Sequence, residues 1–364
     1  MHITITTEQF KNVLENTARV ATKHITLPIL QCVLLKANDQ NTLTITATNL
    51  EIGIEGKISG KVEESGIVAV PAHILLQTIS LITQKEITLS TEGDILHISS
   101  LTSKTDIKTM EANEFPHIPK VEGKSYTFQS ILFALGIKTT AFAASQSSIK
   151  PELGSIYIYQ KKEQSLTFVA TDSFRLIEKT IPQKGLVFEG SLLIPFKNAL
   201  ELSRVVEQSK GEITFTVSES QCAIQSETLY ITSRLISGTF PDYEQIIPKE
   251  YVGDATTLTG DLSAALKKTG IFLNKFMQLT FTLSKDTLTL SSQNSDSGAT
   301  TESIHATVNG EDIRLNFNQR YISDIVPHIT DDTIRIKFAG IGRPIVIENT
   351  HESSLRYLVM PMNK

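Results

Sequence analysis

Cysteine is almost missing from this chain: Cys32 and Cys222 are the only two in 364 residues. Two thiols cannot build a disulfide framework, so a small bridge-stapled secreted fold is excluded and a reducing compartment fits. Long apolar runs are missing as well; none approaches the ~18 residues that a membrane-crossing helix needs. The start, Met1-His2-Ile3-Thr4, has no basic stretch leading into an apolar one, so no secretory leader is expected. Surplus positive charge is the third absence. The chain carries 34 basic and 39 acidic residues, a net charge of -5. That argues against gripping nucleic acid by overall basicity and leaves room for a local basic surface.

Motifs of chemistry are also lacking. The eight histidines stand singly from His2 to His351, with no H-E-x-x-H or C-x-x-C spacing, so no metal is expected. Gly123-Lys124-Ser125 ends like a phosphate loop, but Ile118 stands where the first glycine belongs. There is no G-x-G-x-x-G and no G-x-S-x-G elbow. Asp172 and Glu178 sit on an alternating strand pattern that puts both on one face. Such a lone pair is more often solvated surface than an acid–base dyad. Nothing converges on a reaction, which favours binding over catalysis, with no cofactor. The rival is an α+β enzyme whose site is assembled between domains from scattered Asp, Glu and His.

What is present is repetition. Composition is ordinary, 40% hydrophobic and 20% charged with 19 Gly and 12 Pro, and the length predicts two or three domains. Leu43-Thr44-Ile45-Thr46-Ala47-Thr48-Asn49, Leu166-Thr167-Phe168-Val169-Ala170-Thr171-Asp172 and Leu288-Thr289-Leu290-Ser291-Ser292-Gln293-Asn294 lie 123 and 122 residues apart. Each is a short alternating strand that ends on a turn former. Pro71, Pro195 and Asn318 each precede a helical pattern, at offsets of 124 and 123. Phe115-Pro116, Phe240-Pro241 and Met360-Pro361 mark the ends, 125 and 120 apart. Three unrelated patterns with one period mean three tandem domains. The Pro/Gly/charge-rich stretches at 119–124 and 248–254 place them at 1–121, 125–248 and 254–364.

One repeat opens with a strand and an amphipathic helix. Phe10, Val13, Leu14, Thr17 and Ala21 form the apolar face, and Lys11, Glu15, Arg19 and Lys23 the polar one. A second helix and about eight strands complete it. The expected fold class is therefore α+β: three similar domains, each with two helices packed on antiparallel sheets. The polar helix faces carry a modest cationic bias, from Lys138, Lys150, Lys197, Arg204, Lys267 and Lys268. On one helix that is an ordinary solvated face. Six helices on one concave side would sum it into a positive lining.

Several strings now become recognisable together: Thr26-Leu27-Pro28-Ile29-Leu30, Ala47-Thr48-Asn49-Leu50-Glu51, Ala170-Thr171-Asp172-Ser173-Phe174-Arg175-Leu176, Gly238-Thr239-Phe240-Pro241-Asp242-Tyr243 and Tyr357-Leu358-Val359-Met360-Pro361-Met362. In this order they resemble the bacterial sliding-clamp family, the beta subunit of DNA polymerase III, over the whole chain. The resemblance implies a homodimeric ring of six clamp domains that encircles duplex DNA without reading sequence. It implies a non-enzymatic, cytoplasmic, nucleoid-associated processivity factor with no membrane contact. Implied partners are the polymerase III catalytic subunit, the clamp loader and other clamp-binding replication and repair proteins. A monomeric three-repeat peptide scaffold is the near alternative, separable by hydrodynamic size.

The same resemblance carries over site residues. The client-peptide pocket would use Leu153, Thr171, Ser173, Phe174, Arg175 and Leu176 from the second repeat. Pro241, Ile246, Pro344, Leu358, Met360, Pro361 and Met362 would complete it. Leucine and methionine make an adaptable apolar floor, and Arg175 is placed to hold a peptide carbonyl or acid. Lys11, Arg19, Lys23, His24 and Lys150 join the helix cations as DNA-facing groups. Ile107, Ile271 and Phe272 are the expected dimer anchors. Ser173 and Phe174 replace the family's usual Gly and His or Tyr, and Glu244-Gln245 stand where a basic residue is common. The family's client preference therefore does not simply transfer.

Overall fold

The computed structural model describes residues 1–209 and 211–362. The tail Asn363-Lys364, which departs from the family pattern, lies outside the described residues. Contacts divide the chain into two units, Met1–Ala134 with Lys197–Leu235, and Leu135–Phe196 with Ile236–Lys364. Each of the four sheets lies within one unit.

The element order repeats three times. The first repeat runs β1 (His2–Thr6), α1 (Thr7–Thr17), β2 (Cys32–Asn38), β3 (Thr42–Thr48), β4 (Ile52–Ser59), β5 (Lys61–Glu64), β6 (Gly66–Pro71), α2 (Ala72–Ser80), β7 (Glu86–Glu92), β8 (Ile95–Ser99) and β9 (Lys104–Lys108). The second runs β10 (Lys124–Gln129), α3 (Ser130–Thr140), β11 (Ser155–Tyr159), β12 (Ser165–Thr171), β13 (Arg175–Pro182), β14 (Ser191–Pro195), α4 (Phe196–Gln208), β15 (Glu212–Val217), β16 (Gln221–Gln225) and β17 (Leu229–Arg234). The third runs β18 (Gly253–Leu258), α5 (Thr259–Thr269), β19 (Gln278–Ser284), β20 (Thr287–Asn294), β21 (Gly298–His305), β22 (Thr307–Gly310), β23 (Ile313–Asn318), α6 (Gln319–Ile325), β24 (Thr333–Phe338), β25 (Ile345–Asn349) and β26 (Leu355–Val359). Two helices per repeat on antiparallel strands is the architecture that the periodicity predicts.

The helices form where the apolar spacing places them. In α1, Phe10, Val13, Leu14 and Thr17 are buried, and in α4, Ala199, Leu202, Val205 and Val206 are. Full burial of the phenylalanine, leucine and valine side chains among them supplies about 1.5–3 kcal/mol each. Asn318 caps α6, its side chain accepting from the Arg320 amide. Pro71 and Pro195 end strands β6 and β14 immediately before their helices. A shared device closes α1, α3 and α5. Thr17, Thr140 and Thr269 are buried, and each hydroxyl donates back to carbonyls three and four residues earlier.

That ending corrects one expectation. The four-residue spacing of Lys11, Glu15, Arg19 and Lys23 predicts a helix as far as Lys23, but α1 stops at Thr17, with Ala18 as its C-cap. Arg19, Lys23 and His24 therefore lie past the helix, in turn and loop. Lys150 also lies in a loop, between Ala143 and β11.

The sheets join neighbouring repeats. In the first unit, an eight-stranded sheet runs β10-β15-β16-β17-β4-β3-β2-β6, so β17 of the second repeat pairs β4 of the first. In the second unit, a nine-stranded sheet runs β14-β11-β12-β13-β26-β25-β24-β18-β22, and β26 of the third repeat pairs β13 of the second. These two joints are the same joint made twice. The five-stranded sheet β5-β1-β7-β8-β9 and the four-stranded sheet β21-β20-β19-β23 leave the counterpart strands, β9 and β21, as edges. Close approach of helix to sheet needs Gly56: a Cβ there would lie 2.2 Å from Val13 Cγ1.

Candidate functional site

The turn between β12 and β13 builds the candidate site. The Thr171 hydroxyl donates to the Arg175 carbonyl at 2.7 Å and accepts from the Ser173 amide at 3.2 Å. Asp172 Oδ1 accepts from the amides of Phe174 and Arg175, both at 3.0 Å. This forces Ser173 into the left-handed region, φ 77°, and turns Phe174 outward, 60% exposed. The first repeat makes the identical turn 123 residues earlier. Thr48 Oγ1 and Asn49 Oδ1 hold it, and Leu50 has φ 76°.

Beside the turn lies an apolar groove of about 370 Å³. Thr171, Ser173, Phe174, Arg175 and Leu176 line one side, and Ile246, Pro344, Leu358 and Met360 the other. The strand joint makes its floor: Leu176 and Leu358 are register partners, and the Met360 amide donates to the Phe174 carbonyl at 2.8 Å. Nine of the thirteen residues that the sequence named are thus brought together. Leu153 is buried, Pro241 is exposed, and Pro361 and Met362 are half-buried, all outside the lining. The Met362 amide is bonded to the Asn316 carbonyl at 2.7 Å.

Arg175 does not do what the sequence suggested. Its guanidinium is 8% exposed and already engaged. Nε donates to Asp172 at 2.9 Å, one terminal nitrogen to Asp324 at 2.5 Å, and the other to the Phe142 carbonyl at 2.7 Å. Two carboxylates neutralise it, so it braces the groove instead of offering a cation to an acidic peptide. The Asp172–Glu178 dyad is absent too, since Asp172 serves this turn and Glu178 a separate cluster.

That cluster was not foreseen. Glu178 is buried on β13, two residues beyond Leu176. It accepts from Tyr243 Oη at 2.5 Å and from Lys161 Nζ at 2.8 Å. Tyr159 Oη meets Tyr243 Oη at 2.7 Å, and Lys161 also pairs with Glu244 at 2.9 Å. Burial, then the bond to Glu178, push the Tyr243 phenol far above its ordinary value, so it stays a donor. The Phe240-Pro241-Asp242-Tyr243 string was the available signal, but nothing in it pointed to Glu178.

The remaining candidates divide by exposure. Lys23, His24, Lys138, Lys150, Lys197 and Lys267 are exposed, and Lys11 is half-buried. Arg204 is paired with Glu201, and Lys268 with Glu302. Among the described residues the six helices carry Lys11, Lys138, Lys197, Arg204, Lys267, Lys268 and Arg320 as basic groups and Glu8, Glu15, Glu201, Glu207, Asp261 and Asp324 as acidic ones. Seven against six is a thinner bias than the sequence reading anticipated. At the edges, Ile107 on β9 is 3% exposed and points into its own sheet's core, so it is not an apolar anchor. Alternation explains this, because Lys104, Asp106 and Lys108 take the outer face. Ile271 is 69% exposed, and Phe272 lies beside Gly298 at the start of β21. No group of three potential metal ligands occurs among the described residues.

Three family models cover nearly the whole length. They are the N-terminal, central and C-terminal domains of the DNA polymerase III beta subunit, matching residues 1–119, 127–242 and 244–363. The chain belongs to the DNA polymerase III beta subunit family. A beta sliding clamp of Pseudomonas aeruginosa is 28% identical over 375 residues, covering 100% of both chains. One from Synechocystis is 28% identical over 371 residues, covering 95% of each. Among solved structures, a Bartonella birtlesii sliding clamp bound to griselimycin superposes with TM-score 0.94 at 26% identity, covering 100% of both chains. A griselimycin-bound clamp of P. aeruginosa gives 0.92 at 25%, again covering 100% of both. Three tandem clamp domains are therefore the fold, and the family is not one of catalysts.

Proposed function

We propose that this chain is a DNA sliding clamp, a processivity factor that dimerises into a closed ring around duplex DNA and binds polymerase. The observation that carries the ring is the pair of leftover edges. Strand β17 pairs β4 and β26 pairs β13; among the described residues the remaining counterparts, β9 and β21, have no partner strand on their outer sides. Pairing β9 of one copy with β21 of another, head to tail, repeats the internal joint and removes both edges. Ile271 and Phe272, in the turn after α5 where Phe272 lies beside Gly298 at the start of β21 and Ile271 is exposed, are the apolar part of that seam. Domain limits of 1–121, 125–248 and 254–364 go with this reading.

Held by enclosure, DNA needs little attraction, which fits seven basic against six acidic helix residues. Exposed loop cations, Lys23, His24 and Lys150, add to the DNA-facing side. The clamp loader opens the ring, and repair and replication clients share the groove with polymerase in a cytoplasmic, nucleoid-associated setting. The test is retention on nicked circular DNA after loading with clamp loader and ATP. Retention should be lost when the circle is cut, and equal retention on circle and linear would overturn encirclement.

The groove between Phe174, Leu176, Ile246, Leu358 and Met360 is the client site, and griselimycin, which two of the similar clamps carry bound, is the probe expected to occupy it. Its anchors are apolar, because the one arginine in the lining is spent on Asp172 and Asp324. Met360→Asp should abolish griselimycin binding in calorimetry while leaving the dimer intact in native mass spectrometry.

A further inference from the structure

Each linker that follows a repeat is fastened to the same strand position. Glu55 on β4 and Glu178 on β13 lie 123 residues apart, at equivalent places in the two strand joints: Glu55 faces Tyr230 and Glu178 faces Arg356 in register. After the first repeat, Glu55 pairs with Lys120 of the linker at 3.2 Å. Tyr230 Oη accepts from the Val121 amide at 2.8 Å, and Lys120 lies over the Tyr230 ring. After the last strand of the second repeat, Glu178 accepts from Tyr243, in the segment that leads from β17 to β18, at 2.5 Å, and Lys161 ties Glu178 to Glu244. The second fastening has a consequence that the first lacks. Tyr243 begins the 3₁₀ turn Tyr243–Ile246. In such a turn residues i and i+3 eclipse, so Tyr243 and Ile246 share one side of it. Tyr243 shares a buried cluster with Leu176 and Leu358, on the groove's own face of the sheet because its partner Glu178 lies two residues from Leu176 on β13, while half-exposed Ile246 forms the groove's wall.

We propose that Glu178, with Tyr243 and Lys161, is a positioning lock that sets the width of the client groove by fixing the Ile246 wall. This rests on the client-site reading of the groove. The lock holds the wall through two polar links: Tyr243 to Glu178, both buried, where a hydrogen bond to a charged group is strong, and Lys161 to Glu244, whose side chain is half-exposed and whose pairing is correspondingly weaker. Without them the turn would still be tethered by the Tyr243 ring, but Ile246 would be free to swing.

The experiment uses the full-length protein, griselimycin as probe, and the variants Tyr243→Phe, Glu178→Gln and Met360→Asp. Met360→Asp reports the client-site reading alone: if it binds like wild type, that reading fails regardless of the lock. With binding lost in Met360→Asp, Tyr243→Phe should weaken griselimycin about tenfold, mostly through faster dissociation. Glu178→Gln, which keeps an acceptor for Tyr243, should weaken it less. Hydrogen exchange supplies the readout that a general packing role would not give. Amides at 244–247 should lose protection in Tyr243→Phe, while those of β13 and β26 keep theirs. Wild-type affinity in Tyr243→Phe overturns the lock, and so does a uniform loss of protection across the nine-stranded sheet.

Discussion

Ser173 shows how a single residue can work against its backbone. Its φ of 77° is imposed by Thr171 and Asp172, which hold the turn from both sides. A left-handed backbone costs a residue with Cβ roughly 1–2 kcal/mol, and glycine's extra chain entropy offsets about 0.5–1 of that. Ser173→Gly should therefore raise stability by about 0.5–1 kcal/mol, read as a higher midpoint in urea at unchanged slope. The turn itself was legible, because Thr-Asn and Thr-Asp recur 123 residues apart at strand ends. Arg175 was not. A lone arginine in a string says nothing about whether its charge is free, and only the fold brings Asp324 and the Phe142 carbonyl to it. Glu178 was misread for a related reason. One acid on an alternating strand looks like solvated surface until a linker tyrosine 65 residues away is laid over it.

Elements were easier to read than their ends. The faces of α1 and α4 follow from apolar spacing, but the stop of α1 depends on Thr17 turning its hydroxyl inward, which periodicity does not register. Strand faces at edges were equally hidden. The parity that buries Ile107 is set by pairing with β8, where Leu96 faces it, and one residue of register would reverse it. The packing of α1 on β4 turns on Gly56. Gly56→Ala would drive a methyl to 2.2 Å from Val13 Cγ1 in a packed core. Relief requires α1 to shift, at a cost of about 1–3 kcal/mol. A thermal melt should drop accordingly, and an unchanged melt would mean that the helix rides more loosely than its contacts show.

For the whole molecule, the threefold period was the most informative signal, since three independent patterns shared it. Sheet continuity across the repeats was not visible in it, because strand partners in β17–β4 and β26–β13 lie far apart in sequence. The near balance of charge on the helices bears on how the protein meets DNA. A protein that neutralises six to ten phosphates loses about 10³–10⁵ in affinity between 50 and 200 mM salt. The lifetime of this chain on a closed circle should change by less than about tenfold over the same range. A steep decline, measured by filtration of loaded circles, would mean electrostatic grip.

The two linker fastenings also say where such an assembly yields under load. Joints inside one polypeptide are spanned by a covalent segment pinned at Tyr230 or Tyr243, so strands that part there stay within reach and reclose. A seam between separate polypeptides has no such strap. Pulled apart, it opens as a latch does, with each half keeping its shape.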